Sequence, residues 1–304
     1  MALFLTRRTY SSRLKRFTNR VADVTRYVKL TRGAGGRFEG GIIAMDDWLD
    51  QVALAANGCG VVIYVHGFNT DQHEMLVRTG MIEDGLAAAG FRGAVVAFDW
   101  PSQGQVTAYN PDLAAARASA PHLVPDGVRP LVARLGAQPL HLLCHSMGCY
   151  LTLRARSGVG EVPGAPSVQL DEVIFAAGDV EAELLRRGAG GALVMQHRCN
   201  RFTNFYSVAD RVLQFSGALN GGRQRAGVVG LPDPAGDNAV DVYTTAQFRK
   251  HVPGIDQDDY ILSHNWYYAN TGFYQDVALT LAGTPDAQMP TRRPTTISDR
   301  ALLT

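Results

Sequence analysis

The chain has 304 residues and a formal net charge of +1, with 46% hydrophobic and 19% charged side chains. That is ample apolar material for a core and excludes global disorder. The charge balance excludes a globally basic nucleic-acid binder, no apolar run approaches the about 18 residues of a membrane span, and four cysteines (Cys59, Cys144, Cys149, Cys199) without a CxxC pair exclude a disulfide or zinc-finger scaffold.

The balance conceals an asymmetry. Residues 1–40 hold ten basic and two acidic side chains, a local charge of +8 against −7 for the remainder. The start, MALFLTRR, is too short in apolar residues for a secretory signal, so cytoplasmic residence is the expectation; its Arg-rich, acid-poor composition also suits an organellar transit segment, the lesser reading. Leu14, Phe17, Val21, Val24 and Val28 fall at helical spacing, while Val24, Arg26, Val28 and Leu30 alternate as in a strand. A helix followed by a strand, split near residue 22, satisfies both patterns. The segment is expected to lie against the domain or an acidic surface, apart from any catalytic residue. A basic amphipathic helix could also touch anionic lipid, but the alternation favours a sheet edge.

From about residue 58 to 285, apolar strand-like runs alternate with helical patterns, the signature of a mostly parallel sheet covered by helices. Strands are expected at 61–65, 93–98, 140–144, 173–177, 202–206 and, more weakly, 241–243. Helices are expected at 71–89, 146–156 and 271–281, in VEAELLRR, and between 112 and 135 with interruptions at Pro121, Pro125 and Pro130. The division is therefore a basic segment (1–40), a main domain (41–283) and a polar, Pro-interrupted, loosely ordered tail (284–304).

The strongest chemical signal is LLCHSMG at 142–148, where a strand runs directly into a helix with Ser146 at the corner. Such a turn lifts the hydroxyl above the sheet, and the helix start aims N–H groups at a reacting oxygen. Cys144 stands where the G-x-S-x-G pattern has its first glycine. The alternative is a serine that merely caps a helix; the strand–H-S-M-G–helix context favours a nucleophile. A second signal, YVHGFN at 64–69, lies two strands earlier, where a His-Gly loop supplies an oxyanion-hole N–H; an ordinary glycine turn is the plainer reading of that tripeptide alone.

Together with FDWPSQG, VIFAAGDVE, FYSVADRVLQFSGALNGGRQRAG and SHNWYY, these segments span residues 61–268. In them the chain resembles the α/β-hydrolases, and within these a bacterial esterase/lipase-like subgroup once filed as a domain of unknown function. The resemblance implies an α/β-hydrolase fold, a mostly parallel central sheet with helices on both faces. It also implies serine hydrolysis of an ester-like bond in a small molecule, with no cofactor. The triad is met in chain order Ser, Asp/Glu, His. Asp179 and Asp210 both end strands after Ser146; the resemblance places the acid on Asp210, leaving Asp179 as a helix N-cap before Val180-Glu181-Ala182-Glu183. Of eight histidines, only His251 and His264 follow both. His264, in SHNWYY before the last helix, is the expected base and agrees with the resemblance. His251, beside Arg249 and Lys250, reads as a solvated loop residue, and His145 as pointing away from the site.

On this reading the backbone N–H groups of Phe68 and Met147 hold the oxyanion. His66, Trp100, Tyr150, Trp266 and Tyr267 are candidates for an acyl pocket, with core packing the plain alternative. No metal-ligand spacing is present, and Asp256-Gln257-Asp258-Asp259 lacks the calcium-loop pattern and reads as a solvated loop. The alternatives are a thioesterase or metal-free haloperoxidase on the same triad, and a catalytically silent binding protein of hydrolase fold.

Overall fold

Continuous apolar runs become central strands here because both faces of the sheet are covered. The structure, a computed structural model, describes residues 1–33, 38–158, 168–232, 235–251, 260–294 and 300–302. In chain order the elements are β1 (Ala2–Ser11), β2 (Arg16–Arg32), β3 (Phe38–Ile43), α1 (Met45–Ala56), β4 (Val61–Val65), α2 (Gln72–Ala88), β5 (Ala94–Asp99), α3 (Tyr109–His122) and α4 (Arg129–Leu135). There follow β6 (Leu140–His145), α5 (Met147–Arg156), β7 (Leu170–Ala176), α6 (Gly190–Arg198), β8 (Cys199–Tyr206), α7 (Arg211–Leu219) and α8 (Ala226–Val229). The last are β9 (Ala239–Tyr243), α9 (Thr245–His251), α10 (Leu262–Asn265), α11 (Thr271–Leu281), β10 (Arg292–Pro294) and β11 (Arg300–Leu302).

The strands form one sheet in the order β10-β11-β9-β8-β7-β6-β4-β5-β1-β2-β3. It is parallel from β11 to β1 and antiparallel only at its two margins. Alternate residues of β4 serve opposite cores. Val61, Ile63 and Val65 pack with Trp48 and Leu49 of α1, Ala116 of α3 and Leu151 of α5. Val62 and Tyr64 pack with Met75 and Ile82 of α2 and Phe273 and Val277 of α11. The chain runs from β4 to β5 on one side and then crosses to β6 on the other. That reversal opens a crevice at the strands' carboxyl ends, where open α/β sheets place their sites.

The basic N-terminal segment differs from the expected helix-then-strand split. β1 and β2 form a hairpin, paired Ala2↔Leu30 through Ser11↔Arg16, and β1 docks in parallel against β5 through Phe4↔Ala97, Leu5↔Phe98 and Thr6↔Asp99. Strand alternation prevails over the helical spacing because β5 presents an open edge with hydrogen bonds to fill. The three prolines do not break the 112–135 region either. Between α3 and α4 the helix widens at Leu123–Val128, where the Arg129 N–H reaches back to the Val124 carbonyl, so the missing proline donors are absorbed. VEAELLRR supplies only a single tight turn at Ala182–Leu185.

The tail is not loose where it is described. Arg292 is buried, and its guanidinium donates to both oxygens of fully buried Asp276, from Nη2 at 2.6 Å and Nε at 2.9 Å. Thr291 Oγ1 donates to the same carboxylate at 2.6 Å. The expected loops at 256–259, and residues 295–299 of the tail, lie outside the described residues. No helix among the described residues is long and apolar enough to cross a membrane. Removing one partner of a buried ion pair strands the other, so Arg292→Ala is expected to cost about 3–5 kcal/mol. The shift in urea midpoint checks this.

Candidate active site

The carboxyl ends of β4 to β8 carry His66, Asp99, Ser146, Asp179 and Asp210 in turn. Ser146 occupies φ 55°, ψ −125°, between β6 and α5. A non-glycine residue in that region is strained and persists only where its surroundings hold it. Asn69 (φ 55°) and Ala177 (φ 49°) share the strain on the neighbouring loops. The surroundings are tight: a Cβ on Gly67 would lie 2.7 Å from Ser146 Cβ, and one on Gly148 would fall on the carbonyl oxygens of Val65 and His66. Two glycines thus let the His-Gly loop and the helix start close on the serine. Met147 is the first residue of α5, where N–H groups have no acceptor within the helix. Phe68, half-buried, is held edge-on by the Tyr109 ring at 5.5 Å. Cys144, in the glycine's usual place, is fully buried with its thiol pushed up to about 12 by desolvation, so it remains an uncharged packing group.

Asp210 caps α7: its Oδ1 accepts the Leu213 N–H at 2.9 Å. The cap turns Oδ2 toward His264 Nδ1, 2.7 Å away. A carboxylate partner requires the proton on Nδ1, so in the neutral ring Nε2 carries the lone pair. Both groups are buried. Asp179 is instead tied up elsewhere. It accepts from Ser216 Oγ at 2.6 Å and Tyr109 Oη at 3.0 Å, and Arg225 Nε lies 3.3 Å from it. The expected capping role therefore belongs to the other aspartate, and Asp179 caps no helix.

His145 does not stand apart from the site. Its ring packs 4.5 Å from that of His264, and its Nε2 donates to the His264 carbonyl at 3.1 Å. Burial first, then the nearby His264 and Arg78, push its pKa well below the ordinary range. It is a neutral support beneath the His264 turn. The side chain of His251 lies outside the described residues.

The five pocket candidates have separate duties. Trp100 Nε1 donates to the His66 carbonyl at 2.8 Å, the Trp100 N–H donates to His66 Nε2 at 3.1 Å, and the two rings stack at 5.0 Å. Both are fully buried and brace the His-Gly loop. Trp266 packs on Tyr267 in the core with ring centres 4.3 Å apart and planes tilted by 33°, while Tyr267 also lines a small apolar cavity with Tyr64, Leu143 and Tyr268. The Tyr150 hydroxyl accepts from Arg117 on α3 at 2.9 Å. Sequence reasoning missed Asp112, which is buried and gathers Ser102 Oγ at 2.5 Å, the Gln103 N–H at 2.8 Å and the Asn69 N–H at 3.3 Å. It stitches the 67–70 and 101–103 loops together; FDWPSQG held two of its partners, Ser102 and Gln103, but no local pattern links them to a residue nine or ten positions on.

A mostly parallel sheet with a strained serine at the β6–α5 corner, and a buried histidine–aspartate pair packed on the adjoining His145, defines the chain as an α/β-hydrolase. Residues 43–277 match the family described as alpha/beta hydrolase of unknown function (DUF900), and the chain belongs to it. No curated protein matches the chain. Among solved structures it is similar to phospholipase PlaB from Legionella pneumophila in complex with thio-NAD, at 14% identity and a TM-score of 0.27, over 61% of this chain and 38% of that one. It is also similar to olei00960, a hydrolase from Oleispira antarctica, at 12% identity and a TM-score of 0.26, over 65% of this chain and 78% of that one. The chain thus spans well under half of PlaB, and neither likeness bears on the chemistry of this site.

The strand that delivers Ser146 also buries His141, whose two ring nitrogens find no partner and whose pKa desolvation lowers to about 4. Unfolding returns His141 and His145 to about 6.5. Below that value the unfolded chain binds protons that the folded chain refuses, so stability falls as pH drops from about 6.5 toward 4, by up to about 1.4 kcal/mol per pH unit for each histidine. Urea titrations at pH 7.0 and 5.5 should show the loss, and His141→Leu should reduce it.

Proposed function

We propose that the protein is a serine hydrolase that cleaves carboxylic esters or related acyl bonds of small molecules through Ser146, His264 and Asp210. The observation that carries this reading is the 2.7 Å contact of His264 Nδ1 with a carboxylate whose other oxygen caps a helix, in a chain whose Ser146 holds strained geometry at a strand-to-helix corner. His264 Nε2 takes the Ser146 proton as the hydroxyl oxygen attacks the substrate carbonyl carbon, giving a tetrahedral oxyanion. Asp210 fixes the tautomer and stabilises the imidazolium. The N–H groups of Met147 and Phe68 hold the oxyanion, each worth about 10²–10³ in rate. The imidazolium then protonates the departing alcohol oxygen as the acyl–oxygen bond breaks. Water, deprotonated by His264, attacks the acyl-enzyme; the serine leaves with the proton and the acid is released.

A fluorophosphonate probe should label wild-type protein at Ser146, and Ser146→Ala should lose both the label and turnover of an activated ester while keeping the fold. Labelling elsewhere, or undiminished turnover in that variant, overturns the assignment. Asp210→Asn is expected to lower turnover by about 10⁴ through loss of the tautomer. Asp179→Asn keeps one oxygen to accept from Ser216 and turns its NH2 toward the Tyr109 hydroxyl, which can accept, and should cost far less; steady-state kinetics with a panel of ester and thioester chain lengths reads both and ranks the substrates.

A further inference from the structure

The N-terminal hairpin lies outside the family-matched span of residues 43–277, yet one of its side chains runs straight to the site. Arg8, on β1, is fully buried. Its Nε donates to Asp99 Oδ1 at 2.7 Å, its Nη1 to the Ser102 carbonyl at 3.0 Å and to Asn19 Oδ1 at 2.5 Å, and its Nη2 to the Thr70 carbonyl at 3.1 Å. One planar cation therefore grips the end of β5, the 101–103 loop and the far end of the His-Gly loop. Thr70 passes the hold inward: its Oγ1 donates to the Phe68 carbonyl at 3.2 Å, and its N–H donates to Ser102 Oγ at 3.0 Å. On the other branch Asp99 also takes Thr6 Oγ1 at 2.8 Å and Gln72 Nε2 at 2.9 Å. His66 Nε2 lies 3.4 Å from Asp99 but accepts the Trp100 amide at 3.1 Å, so the chain just beyond Asp99 holds that ring from the backbone.

We infer that Arg8 is a positioning residue for residues 66–70, the loop assigned above to the oxyanion, and that the basic hairpin is a working part of the catalytic domain rather than a segment apart from it. The inference rests on the proposed function for its kinetic consequence but not for its structural one. Lysine is a point charge on a flexible stem and cannot reproduce a fork that reaches two carbonyls and a carboxylate at once. A loop displaced by a fraction of an ångström loses rate in the transition state more than affinity in the ground state.

The test is Arg8→Lys, which keeps the charge beside Asp99. It is expected to lower kcat on an activated ester about 10- to 100-fold with KM within about threefold, to slow fluorophosphonate labelling of Ser146 by a similar factor, and to speed amide hydrogen exchange at 68–70 relative to the rest of the sheet. A folded Arg8→Lys with wild-type kcat and wild-type exchange at 68–70 overturns the inference. So does a lowered Tm with unchanged kcat below the transition, since that marks a structural role alone. Should Arg8→Lys fail to fold, Asn19→Ala, which frees a single partner of Nη1, is expected to show the same kcat-over-KM pattern at reduced size, and its absence counts against the inference. Wild-type protein inert to probe and esters defeats the functional proposal instead, and the exchange comparison then decides the positioning role by itself.

Discussion

The site depends on how closely two backbones approach at the carboxyl ends of β4 and β6. Gly148 turns the start of α5 directly over the carbonyls of Val65 and His66, and Gly67 lies against the Ser146 side chain. A methyl group at either position would force the serine corner away from the His-Gly loop. Because the loop and the helix start would have to meet the same oxyanion, this one steric constraint sets both. It also explains why the strain at Ser146 is tolerated: β6 is paired along its length with β4 and β7, and the Ser146 N–H and carbonyl are bonded to Ala176 and to the Cys149 and Asp179 amides.

Three aspartates stand at the carboxyl ends of the parallel strands β5, β7 and β8, and their partners decide their roles. Asp99 faces Arg8, whose charge outweighs the burial that would otherwise raise its pKa and holds the carboxyl well below its ordinary range. Asp179 faces Arg225 and two hydroxyls. Asp210 faces a backbone amide and an imidazole. A carboxylate already matched to a guanidinium has little left with which to stabilise a charge that appears only during reaction. Under the proposed mechanism the one beside the imidazole would gain its counterion as the proton moves, which is when a triad acid is needed. All three carboxylates are buried, and the low dielectric around them strengthens each of these interactions.

Much of this was legible in the sequence. The apolar runs at Val61–Val65 and Leu140–Cys144 read as buried strands and are β4 and most of β6, and the strand-to-helix corner at Ser146 was visible in H-S-M-G. What was not legible is non-local. Residues 14–30 fit a helix or a strand equally, and the open edge of β5, far along the chain, decides between them. The two aspartates each precede residues able to form a helical turn; only the fold shows that Asp210 does the capping while Asp179 meets Arg225. The buried Arg292 looked like one more charge in a polar tail because Asp276, its partner, sits on the inner face of α11.

His145 shows how a support can be made electrically silent. With Nε2–H engaged by the His264 carbonyl, a single lone pair remains at Nδ1, buried and without a partner. Protonating it would place a cation within a ring's width of His264, close to Arg78, on a side chain that is itself buried. Desolvation and these neighbours all oppose that charge. The histidine can therefore brace the His264 turn through its backbone carbonyl while staying uncharged, and under the proposed mechanism it would not compete for the proton that His264 takes. An asparagine there could make the same carbonyl bond, but it would not fill the space between the His264 and Tyr268 rings, which His145 contacts at 4.5 and 5.0 Å. Shape and a suppressed charge together account for a histidine at this position.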